Sequence, residues 1–596
     1  MKTVSDAYKN SMKQPLRNPS HVQVTVQSID HAVEYDNSSW SVISTKASWS
    51  DLTNFGRVTV KGAPLATLEL NYWDLDGTFE VMPDTPGNNG YVSNAMSDEN
   101  GDCNFRIFRQ FANIHAVNGY TASFDVRARE WPIDGSVELQ AFMEITPGAM
   151  ESVVVDRLSL SDRASSSEYY ARPAVATNTV FIRITKLLPY RRARVENFIF
   201  GIILDFSGND LTDTYQSHDV DPLSRRLPQE SLEFTVIDLK HRFDPENPAG
   251  IYEYIYTRSP VSIAFGYDLD NGVTEWLAPD RYILNARPVF NNGRVTFKAG
   301  GLIASMTWQY YKDVVGTKDL KTMAENVLQD AADQGYIPQN SWEVDDSLED
   351  METVGVLPVS THAECLQMIA HAARCVLYTD GENTIHLAPF TISTEITNDL
   401  RMDYTTVYEN TQLLTRTDLL KAVSVSEYGY VDGAQEAETL YSASTTDTTV
   451  HVEFPLARDV TVEVTGVRVI EEHVYAQAVD LVLEPGVKGI VITGIPQGKT
   501  ETIATVDVNP EGETDREAHE LITSDAMRDA LSAHVRAYLS LRNTYDVTYR
   551  GNPELETRDV VQMQTRYTGI IPVLVLTDSI TFTGALRGSI KGKGLI

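Results

Sequence analysis

The sequence predicts a mostly β, multidomain chain with an α+β middle and inserted modules of β-sandwich, jelly-roll-like type. Three observations lead there. The chain has 596 residues, room for roughly three to five domains. Short runs that alternate apolar and polar residues recur through both halves, separated by Gly, Pro, Asn and Asp turns. Apolar residues at helical spacing are concentrated between 317 and 376 and again after 524.

Composition narrows the function classes. Apolar content of 42% and charged content of 22% are those of a globular, ordered protein. Eighty-three Asp and Glu against 49 Lys and Arg leave a net charge of -34. Such a balance argues against binding a nucleic-acid backbone or an anionic membrane, both of which want clustered cations. Three cysteines, Cys103, Cys365 and Cys375, cannot make a disulfide framework. With Cys365 and Cys375 ten apart on one expected helix, roughly 80° out of phase, they should not bridge. Free thiols and the lack of an apolar signal segment point to synthesis in a reducing cytoplasm without export by the usual route. No apolar run reaches the ~20 residues of a membrane helix.

Taken in order, residues 1–14 read as a short amphipathic helix capped by Ser5, with Val4, Tyr8 and Met12 on one face and Pro15 as its stop. It is either an end packed on the first sheet or an arm that docks on a partner. His21 to Ile29 alternates as a strand. From 63 to about 205 the strands Thr121 to Arg127, Ser136 to Met143 and Thr179 to Ile184 suggest an inserted sandwich. In Ser231 to Ile237, Leu232, Phe234 and Val236 share a face. Phe243-Asp244-Pro245-Glu246-Asn247-Pro248 must then be a turn, because Pro fixes φ and removes donors. Strands follow at Val261 to Phe265 and Val295 to Phe297. Thr317 is expected to cap a helix through Leu320, Met323, Ala324, Val327, Leu328 and Ala331, ending at Gly335. A capping box, Thr361-His362-Ala363-Glu364, opens a second helix, and strand Thr384 to Leu387 follows. Ala422 to Val425, Thr449 to Phe454, Val460 to Val464 and Gly489 to Ile492 are strands, and Ser524 caps a last helix through Tyr538.

Four patches carry a resemblance. The first is Ser231 to Ile237, Phe243 to Gly250 and Arg258 to Tyr267, in that order and spacing. The second is the run A-E-C-L-x-x-I-A-x-A-A-x-C-V-L-Y-x-D-G from Ala363 to Gly381. The third is Ala422 to Val425. The fourth joins Tyr549 to Leu555, Asp559 to Gln562 and Ser579 to Phe582. Together they cover about half of the chain, and it resembles the tail-tip and baseplate hub proteins of Firmicutes-type phages and prophages. The resemblance implies hub-type β-barrel domains. The expected division is 1–62 with 200–305 as a first hub-like β-domain and 63–199 as an inserted sandwich. Residues 306–400 are an α+β module, 401–433 with 521–596 a second hub-like β-domain, and 434–520 a small inserted sandwich. The resemblance further implies a virion protein at the tail tip that closes the tail tube and opens for DNA. Its implied partners are further copies in a ring (a homotrimer), a tail tube or distal tail protein, a tape-measure protein, and tail fibres or receptor-binding proteins. An acidic lumen in such a ring would repel DNA phosphates.

Chemistry is sparse. His362, Cys365, His371 and His386 fall close together, but His362 and His371 lack the i, i+4 geometry of a helical zinc pair, and packing is the better reading. Asp74/Asp76/Gly77 and Asp268/Asp270/Gly272 mimic part of a calcium loop without its remaining ligands, and read as turns. No motif singles out a nucleophile, a paired carboxylate or a phosphate loop, so neither enzyme, metal nor cofactor is expected. Trp131, Tyr169 and Tyr170 in the inserted sandwich are candidate sugar-stacking residues, which would make the chain a carbohydrate-binding adhesin with a host surface glycan as partner.

Overall fold

The computed structural model describes residues 2, 4–14, 17–29, 33, 40–42, 91–93, 95–124, 136–146, 149–157, 167–247, 250–381, 383–403, 405–408 and 412–595. Among these the chain is mostly β and multidomain, organised on one fifteen-stranded sheet. Its principal strands are β1 (Ser20–Ile29), β2 (Gly201–Ser207), β3 (Leu211–Asp219), β4 (Gln229–Ile237), β5 (Pro260–Asp268), β6 (Asp280–Leu284) and β7 (Arg294–Gly300). The later strands are β8 (Leu413–Arg416), β9 (Asn543–Tyr549), β10 (Val560–Gln564), β11 (Ile570–Phe582) and β12 (Leu586–Gly594). Helices among the described residues include α1 (Asp6–Met12), α2 (Leu320–Asp333), α3 (His362–Ala372) and α4 (Asp525–Leu539).

In the first half the order is β3-β4-β7-β6-β5-β1-β2. Alternation sets one face inward: Leu232, Phe234 and Val236 on β4 and Val22, Val24 and Val26 on β1 are all buried. Phe234 stands opposite Phe297 on β7, and the rings stack at 4.8 Å. Phe206 belongs to β2, at the far end of this run, yet its ring lies 6.0 Å from Phe234 and 5.8 Å from Phe297. The run therefore curls into a barrel with a packed aromatic interior, each such pair adding about 0.5–1.5 kcal/mol beyond its buried area. The turn after β4 is fixed by Asp238, whose carboxylate accepts from the Phe243 amide at 2.8 Å. The Ile251 amide then donates to the Arg242 carbonyl. A Cβ at Gly250 would sit 2.6 Å from that carbonyl oxygen, so this close crossing needs glycine.

The second half runs β8-β9-β12-β11, with β10 also on β11. Arg401 and Met402 pair with β10. Val407 bridges to Tyr549, and Leu413–Arg416 pairs with β9. A second ring thus closes over Tyr545, Val547, Tyr549, Val561, Val573, Val575 and Ile590, all buried.

Between the barrels, α2 and α3 pack on a three-stranded sheet of Trp342–Val344, Ile385–Pro389 and Cys375–Thr379. The capping box of α3 is present. The cap of α2 is Asp319, which accepts from the Thr322 amide at 2.7 Å, and not Thr317. Cys375 is not helical: α3 stops at Ala372, Arg374 turns with φ 58° and Cys375 opens a strand. Its thiol and the other two are free. The core of this module continues through α4 (Leu531, Val535) into Val560, Leu574 and Leu595 of the second barrel.

The two insertions carry sheets of their own. Strands within 91–199 form one antiparallel sheet of seven strands together with Trp40–Val42, so the chain has left the first barrel before residue 62. Residues Leu420–Asp432 pair with Lys488–Asp507 and Glu513–Ala518, which ties the end of the 401–433 segment to the second insertion rather than to the large sheet. Among the described residues no helix is long and apolar enough to cross a membrane.

Candidate functional site

The feature that ties these parts into one body is the joint between the barrels. β3 pairs with β4 on one side and β11 on the other, from Thr214↔Phe582 to Asp219↔Thr577. Strand β3 is a poor apolar strand: Thr214 and Gln216 are buried polar residues on it. They face a polar seam. Gln216 Nε2 donates to Asp280 Oδ2 at 2.5 Å, and the same oxygen takes the Lys2 ammonium at 2.7 Å, with both side chains 7% exposed. Tyr282 Oη hydrogen-bonds to His218 Nε2 at 2.6 Å while the rings lie nearly parallel. Tyr549 Oη donates to Asp578 Oδ1 at 3.3 Å, and Thr379, from the α+β module, donates to Glu230.

Helix α1 staples the joint from outside. Ser5 caps it, and Tyr8 and Met12 pack with Tyr267, Leu269 and Leu277 of the first barrel. The Tyr8 hydroxyl donates to Asn552 of the second barrel at 2.9 Å. Arg17 follows with donation to the carbonyls of Arg550 and Gly551 at 2.8 and 2.5 Å. The segment is thus docked within its own chain, touching both barrels.

Electrostatics of the joint follow from burial. Burial pushes Asp578 up to about 8, against the Tyr549 hydrogen bond and Lys2, and Glu230 up to about 7, against Thr379. Burial also holds His218 below its usual range despite Asp280. Tyr8, Tyr282 and Tyr549 are raised by burial and stay neutral.

The residues singled out in the sequence are placed as follows. His362 is fully buried, with Nδ1 at 2.9 Å from the Trp308 carbonyl and Nε2 at 2.8 Å from Asp330. Asp330 also takes Lys312 at 2.5 Å, and against the effect of burial these partners hold its carboxyl below the usual range. His371 lies between the Leu223 carbonyl at 2.6 Å and Glu517 at 3.2 Å. His386 lies between Asp380 and Glu343. Each ring is held by its own protein partners, and the three do not converge. Cys365 is buried, its thiol pushed up to about 12. Asp268 accepts from Thr274 and Asp270 from Asn18, around a turn at Gly272. Asp74, Asp76 and Trp131 lie outside the described residues. The backbones of Tyr169 and Tyr170 are placed on strand Ser167–Lys186, opposite Thr121 and Tyr120. Among the described residues no group of three or more His, Cys, Asp or Glu is placed to hold a metal ion.

The joint was not legible in the sequence. Its members come from β3, β4, β6, β9, β11 and residue 2, and the one local signal was polar residues at Thr214, Gln216 and His218 where alternation called for apolar ones.

No family model and no curated protein matches the chain. Solved structures resemble it. The tail protein from Neisseria meningitidis MC58 is 9% identical with a TM-score of 0.36, over 65% of this chain and 93% of that one. The tail protein of prophage MuSo2 from Shewanella oneidensis is 10% identical with a TM-score of 0.36, over 65% and 93%. A prophage tail protein from Listeria monocytogenes EGD-e is 9% identical with a TM-score of 0.34, over 65% and 91%. These three structural neighbours are tail proteins, each matched at low identity and low TM-score.

Proposed function

We propose that this chain is a structural protein of a phage or prophage tail, the hub at the tail tip or baseplate that closes the distal end of the tube and opens for DNA passage. The observation that carries the reading is the joint: two barrels share one sheet across β3 and β11, and one apolar core runs from the helical module into the second barrel. Chains built this way suit the wall of a collar, because load applied to one barrel passes through backbone hydrogen bonds and core to the other. A string of independent domains would yield at its linkers. The reading includes no catalysis. Its partners are further copies in a homotrimeric ring, the tube or distal tail protein, the tape measure and the fibres. With a net charge of -34, a lumen lined by acidic residues would let DNA pass without adhering.

Electron microscopy of the purified chain tests this. A ring with an open or plugged centre is expected, and a population of separate monomers across the micromolar range would overturn it. A ring whose lumen carries mostly Lys and Arg would remove the non-adhesive passage alone.

A further inference from the structure

Three titratable side chains stand in one row across the joint. His218 on β3 is opposite Glu230 on β4 and also opposite Asp578 on β11. Directly opposed residues on neighbouring strands share a face of the sheet, so one imidazole stands between two carboxyls that belong to different barrels. Asp578 is 2% exposed, and Glu230 and His218 are partly buried. The groups facing the row come from every element around it. Strand β6 brings Asp280 and Tyr282, and residue 2 brings Lys2. The α+β module brings Thr379 and Asp380. Strand β9 brings Tyr549, and the segment before β10, together with β10's approach, brings Glu556 and Asp559. Lys2 is the cation among these described side chains, and it is already held by Asp280. On the same strand, Thr214 Oγ1 and Gln216 Oε1 are buried without a hydrogen-bond partner, so the seam holds polar atoms with unmet demand.

We propose that this row is a proton-operated latch: the barrels stay joined along β3 and β11 while Glu230 and Asp578 keep their protons, and the seam loosens when both release them. Deprotonation places a negative charge on each side of His218, beside Asp280, in surroundings that screen poorly. His218 cannot offset them, since burial keeps its ring neutral over this range and its Nε2 is occupied by Tyr282. The sign follows from linkage. Both carboxyls lie above their unfolded values, near 7 for Glu230 and near 8 for Asp578. Their stabilisation is therefore complete below the ordinary carboxylate range and fades as pH rises, being lost above about pH 8. The latch is a property of the single chain and does not rest on the tail reading.

Hydrogen–deuterium exchange of the full chain tests it, with protection factors corrected for intrinsic exchange, at about pH 6 and about pH 9, on either side of the two carboxyls. Amides of 214–219 and 577–582 are expected to lose about tenfold or more of their protection at the higher pH, the equivalent of one pKa unit or more. Amides of β1 and β5 should keep theirs. In the Glu230→Gln/Asp578→Asn double variant, which keeps shape and removes ionisation, the difference between the two sets should vanish. Equal loss in both sets, no loss at the seam, or an unchanged loss in the double variant would overturn the proposal. Should that variant not fold, infrared difference spectra of the wild type between the same two pH values read protonated carboxyls directly, and a flat carbonyl region would overturn it as well.

Discussion

Tyr8 makes the coupling between the barrels measurable, because one side chain touches both. Its ring is fully buried and sits edge-on to Tyr267 of the first barrel at 5.9 Å. Its hydroxyl donates to Asn552 of the second at 2.9 Å. Tyr8→Ala deletes the ring and leaves a cavity between α1 and the sheet, which costs about 3–5 kcal/mol for a buried aromatic. Tyr8→Phe removes the hydroxyl alone. Asn552 Oδ1 keeps a second donor in the Glu554 amide at 3.3 Å, so that change costs about 1 kcal/mol. Lys2 on Asp280 and Arg17 on the 550–551 carbonyls remain as anchors. The alanine variant should loosen α1 between those two anchors before either barrel unfolds. Limited proteolysis reads that loosening, and denaturant titration reads the stability difference. Cleavage near α1 should quicken strongly in Tyr8→Ala and slightly in Tyr8→Phe. Equal effects of the two substitutions, or a loss below about 1 kcal/mol for alanine, would refute the account of the ring as the main attachment.

Other outcomes follow from the same geometry. Phe206→Ala removes the ring that meets Phe234 and Phe297 across the first barrel, and should lower unfolding free energy in denaturant by about 3–5 kcal/mol. At Gly588 an added Cβ would lie 2.3 Å from the fully buried Tyr549 ring; Gly588→Ala should cost about 3 kcal/mol, seen as loss of soluble protein or a lower unfolding midpoint. Burial pushes the thiols of Cys365 and Cys375 up to about 12, so a thiol-disulfide reagent at mildly alkaline pH should leave both untouched in the folded chain. All three cysteines should react once it is unfolded. Rapid labelling of Cys365 or Cys375 in the folded state would contradict their placement.

Much of the local structure was legible from neighbouring residues alone. Alternation of Val22, Val24 and Val26, or of Leu232, Phe234 and Val236, needs nothing beyond neighbouring residues to specify a strand with one buried face. The Thr361–Glu364 box and the Ser5 and Ser524 caps were legible for the same reason, since a side-chain oxygen reaches an amide two or three residues on. At the start of α2 tertiary pairing overrode the expected cap: Lys318 and Asp319 pair with Thr353 and Glu352, which holds the chain extended until Asp319 and moves the cap past Thr317. The same holds for Cys375, which opens a strand because Cys375–Thr379 pairs with Ile385–Pro389. Which barrel strand meets which, the docking of α1 on its own chain, and the Glu230–His218–Asp578 row were decided by the tertiary structure alone. Those contacts join residues far apart in the chain, and no local period encodes them. They arise only once curled sheets bring distant strands edge to edge, and the dry seam left between them changes what a carboxyl or an imidazole there can do.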